Sequence, residues 1–84
     1  MNRQYRVIAG PHRIARRYAE RRGWAPDEYI IVVRGHQLAK LDPALIAAII
    51  TVKLHTMAKK IIEEIQDEID RVRALWPVPT ETAA

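Results

Sequence analysis

A small α/β domain, with three mostly parallel strands and two main helices, is what this sequence predicts. Three observations carry it. Dense β-branched and apolar runs at Tyr5–Ala9, Tyr29–Val33 and about 47–53 have the composition of strands, the second being continuous enough to be buried on both faces. These runs alternate with helical segments, which argues for a parallel sheet covered by helices. From Thr56 to Trp76, the residues Ala58, Ile62, Ile65, Ile69, Val72 and Trp76 recur at steps of three and four, one apolar stripe along a long helix.

Taken in order, Tyr5-Arg6-Val7-Ile8-Ala9-Gly10 reads as a short strand. Gly10-Pro11 then turns the chain into a helix over about Pro11–Arg22, with proline at the first helical position, where its missing N–H costs nothing. Ile14, Ala15, Tyr18 and Ala19 form the apolar face, and Gly23 suits a left-handed C-terminal cap. Trp24 to Glu28 is a turn before the second strand, which Arg34-Gly35 ends. His36 to Leu41 fits a short helical turn.

The segment Ala44–Leu54 reads two ways. Asp42-Pro43 is a good start for one helix continuing to Trp76, but Ile49-Ile50-Thr51-Val52 is a β-branched cluster that favours a third strand. Thr56 can cap the long helix, and Pro77 and Pro79 forbid its continuation. One domain over residues 1–76 follows, with residues 77–84 expected as a flexible tail.

Eighty-four residues suit a single core and leave it small, so self-association is expected to add stability. The chain has no cysteine, which excludes disulfides, thiolate nucleophiles and zinc–cysteine sites and suits a cytoplasmic setting. No leader segment is visible, and the apolar run Ala44–Thr51 is far short of the ~20 residues a membrane span needs.

The net charge of +4 is unevenly placed. Residues 1–42 hold nine Lys and Arg against four acids, whereas residues 43–84 hold five against six. Residues 1–24 alone carry seven arginines and one acid. Arg13, Arg16, Arg17, Arg21 and Arg22 crowd the exposed face of the first helix, a pattern able to neutralise nucleic-acid phosphates or another polyanion. Its bland counterpart is a solvated helix face. No stacked aromatic platform for single strands is evident, since there is no Phe and only two Trp and three Tyr.

All three histidines follow an expected strand: His12, His36 and His55. In an open parallel sheet the carboxyl ends of the strands share one edge, where ligands bind at a switch in strand order. With Arg13 and Arg34, that edge is a candidate anion site. Gly10-Pro11-His12-Arg13 is neither a GxGxxG nor a phosphate-loop fingerprint, and no acid or nucleophile stands at a catalytic spacing from the histidines. No cofactor or metal is indicated, and an enzyme is not the favoured reading.

The motifs Val7-Ile8-Ala9-Gly10, Ala15 with Tyr18-Ala19, Gly23, Pro26 with Glu28-Tyr29, and Leu38 with Leu41 resemble those of small uncharacterised proteins encoded by actinobacterial phages. The resemblance covers about residues 5–54, and the long C-terminal helix departs from the shortest members of that group. It implies a half-Rossmann-like βαβ core and a host-cytoplasm setting, and it supplies no catalytic residue.

The sequence therefore points first to a non-enzymatic protein engaging nucleic acid or another polyanion through Arg13, Arg16, Arg17, Arg21 and Arg22. Its alternative is a homo-oligomeric module that binds a host protein through Ile62, Ile65, Ile69, Val72 and Trp76 on the long helix.

Overall fold

The computed structural model describes residues 3–83. Strands β1 (Tyr5–Ala9), β2 (Tyr29–Val32), β3 (Ile46–Val52) and β4 (Thr80–Ala83) form one sheet in the order β2-β1-β3-β4, every pair parallel. Helices α1 (His12–Arg21), α2 (Gly35–Ala39) and α3 (Lys59–Leu75) supply the connections. The segment Ala44–Leu54 thus resolves as strand, flanked by 3-10 turns at Pro43–Leu45 and Leu54–Thr56. Asp42 caps the first of these turns, its carboxylate accepting from the Ala44 N–H at 3.0 Å.

The sheet has four strands rather than the expected three. The extra one comes from the segment expected to be a flexible tail. Thr80-Glu81-Thr82-Ala83 has no apolar alternation to announce a strand, because it lies at an edge and is largely exposed. What makes it a strand is tertiary. The Ile49 N–H donates to the Pro79 carbonyl at 2.9 Å, Val78 is buried beneath α3, and the Thr51 and Thr82 hydroxyls meet at 3.2 Å. Pro79 is tolerated because it precedes the strand, where no ladder N–H is missed.

From β1 the chain moves outward to β2, then crosses back to β3 and continues to β4. This reversal puts α1 on one face of the sheet and α2 and α3 on the other, as crossovers of a single hand require. The two faces are unequal. On the α2/α3 face, Val7, Ala9, Val32, Leu38, Ile46, Ile49, Ile65, Ile69, Val72 and Val78 form the larger cluster. Across the sheet Ile8, Ile50 and Val52 meet only Ala15 and Ala19 of α1, with Tyr18, Trp24, Tyr29 and Ile31 at the margins.

Two glycines are fixed by close approach. A Cβ on Gly35 would sit 2.9 Å from the Glu64 carbonyl oxygen, so α2 lies flush on α3. At the end of β1, a Cβ on Gly10 would lie 2.1 Å from the Val52 carbonyl oxygen. Gly10→Ala is therefore expected to force β1 and β3 apart and cost about 3 kcal/mol. For a domain of this size that lowers Tm by at least about 12 °C, readable in a thermal melt.

Candidate polyanion interface

Helix α1 owes its position to two alanines. Ala15 and Ala19 are wholly buried and let the helix backbone settle closely onto the sheet. Past its end, Gly23 takes a left-handed conformation with φ +73°. The Gly23 N–H donates to the Glu20 carbonyl at 3.0 Å and the Trp24 N–H to the Ala19 carbonyl at 3.1 Å, which closes the helix and folds Trp24 back beneath it. Trp24 meets Tyr18 edge-on at 5.8 Å between ring centroids.

The four arginines of this helix, with Arg22 directly after it, divide by what they touch. Arg16 pairs with Glu20 at 3.4 Å, and the Arg22 guanidinium lies 5.0 Å over the Tyr18 ring. Arg6 of β1 caps Trp24 in the same way at 4.5 Å. Arg13, Arg17 and Arg21 remain, each exposed and each four residues from the next. At 1.5 Å rise per residue they form a row with steps of about 6 Å. Among the described residues none of the three is paired with an acid.

Beside this row runs a groove of about 290 Å³ between α1 and the ends of β3 and β4. Ile14, Tyr18, Val52 and Ala83 make its apolar floor, and Lys53 faces the arginines from the other bank. Lys53 ends β3 in a left-handed conformation with φ 46° and ψ 34°, uncommon for a residue with a side chain. This lysine was not among the strand-end residues expected to bind an anion. The signal that selected the histidines, a position directly after a strand, applies to it equally.

The three histidines do not share a site. His12 lines a groove with Arg16, Pro26, Tyr29 and Ile31 on the β2 side of α1. His36 lines another between α2 and α3, with Glu64, Asp67 and Glu68. His55 lies in a third, with Thr51, Lys53, Ile62 and Gln66. Among the described residues no group of three or more His, Cys, Asp or Glu is placed to hold a metal ion. Arg34, the other cation expected at the strand ends, is engaged by Glu64, its Nη2 lying 2.9 Å and its Nε 3.3 Å from the two carboxylate oxygens. This fork holds the Glu64 carboxyl below its usual range, and Glu64 in turn raises the Arg34 guanidinium. Arg13 alone of the expected anion-site residues also belongs to the free row.

The apolar stripe of α3 is spent on the sheet. Ile65, Ile69 and Val72 are at most 1% exposed, and Ile62 is half-buried beside His55. Both ends of the stripe reach solvent: Ala58 is exposed at its start, and at its finish Trp76 is 47% exposed beside Leu75 at 63%. No helix is long and apolar enough to cross a membrane among the described residues. Compared with family models, curated proteins and solved structures, the chain matches none.

The Arg34–Glu64 fork has a consequence for stability. A carboxyl depressed by folding contributes stability that is present above its unfolded pKa of about 4.3 and is lost as pH falls through the lower folded value. In urea unfolding, Glu64→Gln is expected to be less stable than the parent at pH 7, and the gap should narrow as pH falls below the ordinary glutamate value of about 4.3.

Proposed function

We propose that this protein is a non-enzymatic binder of nucleic acid or another polyanion, working through Arg13, Arg17 and Arg21 of α1 with Lys53 opposite. One observation supports the reading above the rest. Arg3, Arg16, Arg34 and Arg71 are each matched to a carboxylate, and Arg6 and Arg22 are laid on aromatic rings. The row on α1 and Lys53 have no such partner among the described residues, and they border one groove. Cations arranged in this way gain most from an external polyanion, whose bound counterions they release. If the resemblance of residues 5–54 to small phage proteins holds, an accessory protein of the host cytoplasm that acts by binding would fit it.

A second reading is favoured by the exposed pair Leu75–Trp76. An exposed Trp beside an exposed Leu at a helix end suits a protein contact, either with a host factor or with a second copy. It differs from the first in being insensitive to the α1 charges.

Anisotropy of a labelled oligonucleotide titrated at several salt concentrations tests the main reading. With four cations engaged, log K should fall against log salt with a slope of about −3 for a single strand. Reversing Arg13, Arg17 and Arg21 to Glu should abolish binding with the fold intact, whereas Arg16→Ala should cost less than threefold. Absence of binding at low salt would sink the proposal.

A further inference from the structure

The polyanion reading concerns charge alone, but the groove beside the arginine row is not only charged. Its floor is the Ile14, Val52 and Ala83 side chains and the Tyr18 ring, and Ile14 is 40% exposed there. A solvent-facing isoleucine between two banks of cations is poorly placed for a surface that meets phosphates only. The Tyr18 ring is held by its edge contact with Trp24 and by the Arg22 guanidinium over it, so this wall is already ordered without ligand.

A double helix uses such a groove badly. Its bases are stacked inward, so it can offer phosphates to Arg13, Arg17 and Arg21 but nothing to the apolar floor. A strand with unpaired bases offers both at once: its backbone lies along the row, and a splayed base lies on Ile14 and Tyr18. The row runs the length of α1 in steps of about 6 Å, so one strand can meet its three guanidiniums in turn while Lys53 closes the far side. Resting on the polyanion reading, we infer that the α1–β3–β4 groove is a seat for an unpaired nucleotide and that the protein prefers single strands to duplex. The aromatic platform that composition failed to show is replaced by an aliphatic floor with one tyrosine wall.

Three probes of equal phosphate number separate the sources of binding: a short single-stranded DNA, the same strand with abasic sites throughout, and a duplex. The unmodified protein is titrated with each at one salt concentration. The expected result is that the base-bearing strand binds about tenfold more tightly than the abasic one, as for one seated base, and more tightly than the duplex. Ile14→Ser should erase most of that tenfold difference and keep the parent's cooperative melt. Equal affinity for base-bearing and abasic strands would overturn the inference while leaving α1 as a phosphate surface. An acidic amphipathic peptide binding more tightly than any strand would also overturn it, by assigning the groove to a protein segment. Failure of all three nucleic-acid probes to bind would remove the polyanion reading itself.

Discussion

The contact between Gly10 and Val52, at the carboxyl ends of β1 and β3, is the constraint on which the rest of the molecule hangs. These strands are the middle pair of the sheet, and the chain leaves them in opposite directions, to β2 by way of α1 and to β4 by way of α3. The absence of a side chain at Gly10 lets β1 run against the Val52 carbonyl. The next residues then set the site. Past β1 the chain enters α1 at once, and past β3 it turns through Lys53 in a left-handed conformation. Both banks of the groove are therefore fixed within a few residues of one backbone contact.

The inequality of the two faces explains why the surface features gather on one of them. Helices α2 and α3 cover the first face and consume the apolar stripe of α3, with Gly35 letting the two helices touch at Glu64. The other face has a single ten-residue helix over four strands. A helix about 10 Å across spans roughly two strand spacings, so its flanks stay open. The grooves bearing His12 on one side and Lys53 on the other are those flanks. An open flank beside a row of arginines is what gives this face both an apolar and a cationic character.

Charge is distributed by the same geometry. Intramolecular partners within reach claim some cations: Glu20 lies one turn along from Arg16, Glu64 faces Arg34 from α3, and the rings of Trp24 and Tyr18 sit under Arg6 and Arg22. Arg13, Arg17 and Arg21 lie on the line of α1 that overlooks the groove, where β4 presents the small Ala83 and β3 ends in another cation, Lys53. Exposed ion pairs contribute little to stability, so pairing matters here mainly for which cations stay available to a ligand.

By itself the sequence carried the signals of most local elements, although α3 begins at Lys59 and Thr56, expected to cap it, instead closes the 3-10 turn before it by donating to the Lys53 carbonyl. The density of Ile49-Ile50-Thr51-Val52, the stripe from Ile62 to Val72, the buried pair Ala15 and Ala19, and Gly23 as a left-handed stop are all periodic or conformational signals that a short window contains. The crowd of arginines on α1 was legible for the same reason. Tertiary structure decided what depends on distant neighbours. The strand β4 exists because β3 and α3 offer an edge and a pocket for Val78, and its own residues carry no strand pattern. Three histidines at equivalent sequence positions fall into separate grooves because the helices packed between them divide the sheet edge. Lys53 joins Arg13, Arg17 and Arg21 only because a parallel sheet brings the end of β3 beside a helix that begins some forty positions earlier in the chain.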